Sequence, residues 1–231
     1  LEAPFMTRTR FSAVAWDIDG TLVDSEPLHH RALVAASLEF GTDLRDLPNM
    51  AFRGIHMGNV WLMVRDRLPP TLQEADWVAA INRHYVADRY SLVAIPGAVN
   101  VVRDLHRLGI PQVCVSNSCR AIVDANLDAL GISSCIDFSI SLDDVSEGKP
   151  SPVPYHMAAE RLNLVPETVV AVEDSSTGVR SAHAAGLYAV FLRTGENAGH
   201  AENAYPLAHV IDNLFLLREL FGTEHGLSPQ A

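Results

Sequence analysis

The first sharp feature along the chain is an apolar run, Phe11 to Trp16, that breaks at Asp17-Ile18-Asp19-Gly20. A short apolar run ended by a turn residue predicts a buried strand, with Asp17 at its carboxyl end. After Ser25 the period changes. Glu26-Pro27-Leu28 places a proline where a first helical turn tolerates one, and apolar residues recur at Leu33, Ala36, Leu38 and Phe40 until Gly41. Two or three further helical stretches are expected between about 50 and 90, with Leu68-Pro69-Pro70 as a break and 75–86 as the clearest helix. Asp24 reads as the cap of the first of these helices, and nothing from 28 to 90 reads as strand.

Beyond Ile95-Pro96-Gly97 the pattern becomes repetitive. Val99, Val102, Leu105 and Leu108 mark one helix face, Gly109 ends it, and 112–115 reads as a strand. Helix–strand pairs follow at 121–130 and 138–140, at 154–164 and 169–172, and at 177–185 and 189–192. A last strand is expected at 209–211, then a helix over 214–220 and a tail from 222. Repeated units of this length predict an α/β fold, a doubly wound, Rossmann-like parallel sheet with helices on both faces. The division expected is a core of 6–25 and 92–231 with an all-α block, 26–91, inserted after the first strand.

In such a sheet the carboxyl ends of the strands share one edge, so residues distant in sequence converge there. Asp17 follows the first strand, Ser116 the second, and Glu173 and Asp174 the run 169–172; Lys149 lies in the loop Gly148-Lys149-Pro150-Ser151-Pro152. Asp17 and Asp19 repel each other; a shared proton or a cation relieves repulsion of this kind, and a hard divalent ion such as Mg²⁺ takes oxygen ligands of this sort. The chemistry that fits is phosphoryl transfer. One carboxylate attacks phosphorus, a neighbouring acid handles the proton, and lysine and serine steady the equatorial oxygens.

Composition narrows the class. With 231 residues, 48% hydrophobic and 19% charged, the chain can bury a substantial core. Its formal net charge of −11 argues against a nucleic-acid surface and obliges any anionic substrate to find local positive charge. No stretch is long and apolar enough for a membrane span, and no secretory signal is legible at the amino end. Met6 reads as the natural start, with 1–5 as an addition. Cys114, Cys119 and Cys135 lack the paired spacing of zinc sites and suit a reducing, cytoplasmic setting.

The string Asp17-Ile18-Asp19-Gly20-Thr21-Leu22-Val23-Asp24-Ser25 resembles the first motif of the haloacid dehalogenase superfamily, in its phosphatase and phosphomutase branch. Ser116 in Val115-Ser116-Asn117-Ser118 is similar to the second motif, Lys149 in Gly-Lys-Pro to the third, and Glu173-Asp174-Ser175 with Gly178 to the fourth. The resemblance implies that Asp17 is the nucleophile and passes through an aspartyl phosphate. It makes Asp19 the acid/base whose main-chain carbonyl also binds metal, and Ser116 and Lys149 the remaining catalytic groups. Asp17, Asp19, Glu173 and Asp174 would then hold Mg²⁺. Gly20, Thr21 and Asn117 are taken as phosphate- or substrate-binding positions. The helical block becomes a cap, with His29 near the acid/base group and Arg53-Gly54 in the loop that meets substrate.

Two departures bear on this. Val153 stands where many relatives carry an aspartate, which leaves open what holds Lys149. Met57 stands where β-phosphoglucomutases carry the arginine that grips a second phosphate. The function implied is a Mg²⁺-dependent phosphatase of a small phosphorylated metabolite, a sugar or polyol phosphate, acting as a monomer or weak dimer without nucleic-acid or membrane partners. The alternative is a phosphomutase of the β-phosphoglucomutase type. A non-catalytic module on the same fold would be expected to lose Asp17 or Lys149, and a dehalogenase would lack Asp19.

Overall fold

The computed structural model describes residues 10–49, 52, 57–194 and 207–222. Its centre is β1 (Ala13–Trp16), whose four residues are all fully buried because the sheet is covered on both faces. Five parallel neighbours complete the sheet: β4 (Gln112–Val115), β5 (Phe138–Ile140), β6 (Val169–Glu173), β7 (Tyr188–Leu192) and β8 (His209–Ile211). The order is β5-β4-β1-β6-β7-β8. Trp16 is in register with Cys114 on one side and Val172 on the other, so the chain leaves β1 at the point where strand order reverses. That crevice is where Asp17 emerges.

Alternation along the strands sorts the two cores. Val14, Trp16, Cys114, Val170 and Val172 pack toward α4 (Ala98–Arg107) and α5 (Arg120–Leu130), joined at the carboxyl end by α8 (Leu217–Leu220). Ala13, Ala15, Val113, Val115 and Ala171 pack toward α6 (Val153–Leu162) and α7 (Ser176–Ala184). One polar residue sits inside this packing without penalty. Gln112 accepts from Trp16 Nε1 at 3.0 Å and donates to the Val102 carbonyl at 2.9 Å.

The inserted helices, α1 (Glu26–Glu39), α2 (Met57–Val64) and α3 (Glu74–Ala87), gather round a third core. Trp61 and Trp77 lie 5.5 Å apart between ring centres, and Trp77 Nε1 donates to Ser37 Oγ at 2.9 Å. Ile122 and Ala125 of α5 belong to the same cluster, so the insert is seated on the sheet's own helical layer. Two strands of two residues each, β2 (Val23–Asp24) and β3 (Val93–Ala94), pair antiparallel where the chain enters and leaves the insert. They are too short to leave a hydrophobic period in the sequence.

Asp24 does not cap α1, contrary to the sequence expectation. It pairs with Val93 in β2 while Ser25 takes the N-cap position, and the Ser25 hydroxyl turns to Asp19 instead of the helix. The helix expected over 214–220 begins as a tighter turn, Leu214–Leu216, before α8. No helix among the described residues is long and apolar enough to cross a membrane.

Candidate active site

Asp17 is buried one residue beyond β1, and its two oxygens differ. Oδ1 accepts from Lys149 Nζ at 2.7 Å, whereas Oδ2 is buried with no hydrogen-bond partner. Lys149 is itself buried and reaches Glu173 Oε1 at 2.6 Å. The same Glu173 oxygen accepts from the Tyr155 hydroxyl at 2.5 Å, so both of its lone-pair directions are used. Tyr155, on α6, also places its ring 5.3 Å from the lysine nitrogen. Val153 opens α6 without offering an acid, so Lys149 is held by Asp17 and Glu173, and Tyr155 buttresses that pair.

Asn117 works on the backbone of the same loop. Its amide donates to the Lys149 carbonyl at 2.9 Å and accepts from the Lys149 amide at 2.8 Å. The side chain proposed from sequence as a ligand to substrate is therefore engaged in shaping the lysine loop.

Asp17, Glu173 and Asp174 present carboxylate oxygens all within 4.8 Å of one another. Two glycines make that convergence possible. A Cβ on Gly20, whose φ is +87°, would lie 2.1 Å from Asp174 Oδ2, and a Cβ on Gly178 would lie 1.9 Å from the Glu173 carboxyl. Three carboxylates share one ammonium here, and electrostatics registers the excess. Burial pushes the Asp17 carboxyl up to about 7 against the pull of Lys149, with Glu173 and Asp19 adding to the rise. Burial, then Asp17 and Glu173, push Asp174 well above the usual carboxylate range. The set fits a hard divalent cation such as Mg²⁺: all donors are oxygens, the local charge is negative, and Asp17 Oδ2 lacks a protein partner.

Asp19 faces the other way. Its carboxylate accepts from Ser25 Oγ at 2.6 Å, Ser118 Oγ at 3.0 Å, Asn126 Nδ2 at 3.2 Å and Ser116 Oγ at 3.3 Å. His29 Nε2 stands 3.8 Å away, an ion-pair distance. Burial works to raise this carboxyl, but attraction to His29 and the Ser25 and Ser118 hydroxyls together bring it down to about 2. Its side chain is not among the three clustered carboxylates.

Asp17, Asp19, Ser116, Lys149, Glu173 and Asp174 thus come together, with Gly20 against Asp174, Asn117 against Lys149 and His29 beside Asp19. Thr21 lies in the same turn, fully buried, its hydroxyl without a hydrogen-bond partner. Arg53 and Gly54 lie outside the described residues. Sequence reasoning missed Tyr155, Ser25, Ser118, Asn126 and Tyr85, whose hydroxyl donates to Asn126 Oδ1 at 2.7 Å. Of these only Asn126 leaves a signal, as an amide interrupting the apolar face Ile122, Val123, Leu127 and Leu130 of α5.

The chain is similar to known proteins of one family. A family model for haloacid dehalogenase-like hydrolases matches residues 11–186. A phosphoglycolate phosphatase of Cupriavidus necator is 30% identical over 232 residues, covering 95% of this chain and 96% of the relative. Hexitol phosphatase A of Escherichia coli is 27% identical, covering 91% and 96%. Among solved structures, CbbY from Rhodobacter sphaeroides in complex with phosphate superposes with a TM-score of 0.77 at 28% identity, covering 87% of this chain and 94% of that one. The chain belongs to the haloacid dehalogenase-like hydrolases. Within them it is an enzyme of the phosphoric monoester hydrolase kind.

Proposed function

We propose that this phosphatase of small phosphorylated metabolites acts on a sugar or polyol phosphate through an aspartyl phosphate on Asp17, with Mg²⁺ as cofactor. The observation that carries the reading is the unpartnered, buried Asp17 Oδ2 beside the Lys149 ammonium. In the first step Oδ2 forms a bond to phosphorus as the bond to the ester oxygen breaks, and Asp19 gives that oxygen a proton. In the second, Asp19 takes a proton from water as the water oxygen attacks phosphorus, releasing phosphate and restoring the Asp17 carboxylate. Asp19 rests ionised; a phosphate dianion arriving beside it raises its proton affinity, so that it takes up from solvent the proton it then donates. Lys149 offsets negative charge on the transferring group and opposes the burial that raises the Asp17 carboxyl.

Asp17, the Asp19 main-chain carbonyl, Glu173 and Asp174 would hold Mg²⁺, which supplies charge neutralisation between nucleophile and phosphate. Residues 26–91 would serve as the cap over a core of 6–25 and 92–231, with His29, Arg53 and Gly54 as its substrate-binding residues. The related phosphatases named for phosphoglycolate, hexitol phosphate and fructose 1-phosphate support a small, oxygen-rich substrate.

Hydrolysis is preferred to mutase action because Met57 packs against the hydrophobic core of the insert and offers no charge for a second phosphate. Phosphate release from sugar, polyol and nucleoside monophosphates, with and without Mg²⁺, tests the reading. Full activity in excess chelator would remove the metal from it. β-Glucose 1-phosphate with bisphosphate primer should yield glucose and phosphate; glucose 6-phosphate forming faster than phosphate would make the enzyme a mutase.

A further inference from the structure

A buried amide is out of place on the apolar face of α5. Asn126 is fully buried, on the same helix face as Ile122, Val123, Leu127 and Leu130, where packing alone would favour leucine. Its two polar atoms look in different directions. Nδ2 donates to Asp19 Oδ1 at 3.2 Å, and Oδ1 accepts from the Tyr85 hydroxyl at 2.7 Å. A carboxylate only accepts, so the amino group must face Asp19 and the carbonyl must face Tyr85; the amide has one productive orientation.

Tyr85 belongs to α3 of the insert, is fully buried, and lies with its ring centre 4.4 Å from that of His29. His29 in turn approaches the same Asp19 oxygen that Asn126 holds. The four side chains form a closed circuit, Asp19, Asn126, Tyr85 and His29, that crosses from the loop after β1 to the sheet's helical layer, then to two helices of the insert and back.

We propose that Asn126 is a positioning residue for Asp19, and that Tyr85 sets Asn126 in turn, so that the acid/base carboxylate is aimed only while the insert is seated on α5. The inference rests on the acid/base role given to Asp19 above. Tyr85 and Asn126 touch neither the transferring group nor the nucleophile; they act through the carboxylate. Removing either leaves Asp19 with its serine contacts on the core side and frees it to turn.

The test exploits the proton that Asp19 delivers. An alkoxide leaving group needs it, whereas nitrophenolate departs readily without it, and kcat/KM reports the steps up to leaving-group departure. Asn126→Leu preserves the volume and Tyr85→Phe preserves the ring against His29. Each variant should lower kcat/KM by roughly 10- to 100-fold for a small polyol phosphate, part of the full contribution of a general acid. The loss on 4-nitrophenyl phosphate should be less than about threefold, because the aim of Asp17 is untouched. The double variant should be no slower than Asn126→Leu alone, since both remove one relay.

Equal losses on the two esters, no loss on either, or a double variant as slow as the product of the singles would each overturn the proposal. If Asn126→Leu fails to fold, Tyr85→Phe carries the same expectation on the two esters. A wild-type enzyme inactive on every monoester would overturn the phosphatase reading and this inference with it, whereas an active wild type with unselective variants overturns this inference alone.

Discussion

Asp17 and Asp19 stand two residues apart in one loop, yet their surroundings are opposites. Asp17 is walled by charge: Lys149, Glu173 and Asp174, with Tyr155 behind them. Asp19 is walled by neutral donors, Ser25, Ser116, Ser118 and Asn126, with His29 at its open side. The first carboxyl is driven up to about 7 and the second down to about 2. The difference lies in who supplies the missing positive charge. Asp19 finds its stabilisation within the chain, so its neighbourhood is complete as folded; the Asp17 wall carries more carboxylates than its one ammonium offsets, an excess that the proposed cation would relieve.

The largest effect should come from striking the charged wall at its centre. Asp17→Asn keeps the shape and loses the nucleophile, and kcat for any monoester should fall by about 10⁴ or more, roughly 5 kcal/mol of barrier, with the far-ultraviolet spectrum unchanged. A variant within tenfold of wild type would remove Asp17 from that role. Tyr155→Phe should act more gently, because it deletes one donor to Glu173 and leaves the carboxylate in place. Titration calorimetry should show Mg²⁺ binding weakened by about tenfold while kcat at saturating metal changes little. Unchanged affinity would mean that Tyr155 merely fills space.

The smallest effect sharpens the comparison by pH. Because the Asp17 pKa is raised on folding, the folded metal-free protein binds protons more tightly than the unfolded chain between about pH 4 and pH 7. Stability without metal should therefore decline as pH rises through that window. Mg²⁺ competes with protons for the same oxygens, so its increment in Tm should be larger at pH 8 than at pH 5. An equal increment at both would place the cation elsewhere.

The charged wall was legible in the sequence and most of the neutral one was not, for a physical reason. A carboxylate at the end of an apolar run has no packing explanation, so Asp17, Glu173 and Asp174 stand out against their strands, and Lys149 stands out between the glycine and prolines of its loop. Tyr85 and Tyr155 are fully buried, and their rings satisfy the hydrophobic period whether or not the hydroxyl has work to do. Ser25 and Ser118 are ordinary in loops. Asp24 misled because an aspartate ahead of a proline-initiated helix usually caps it; the chain instead remains extended there to meet β3. The parallel sheet follows from alternating helices and strands, while the β2–β3 ribbon depends on a pairing across some seventy intervening residues that no local pattern reports.

That ribbon has a modular consequence. Val23 is opposite Ala94 and Asp24 opposite Val93, so the ends of the inserted segment are held one strand spacing apart, about 5 Å. A segment whose two ends nearly touch can be exchanged, lengthened or trimmed without asking the host sheet to move. The carboxyl edge of β1 and the inserted helices can thus diverge at separate rates, one constrained by charge and distance, the other free to be refitted like an interchangeable head on a fixed handle.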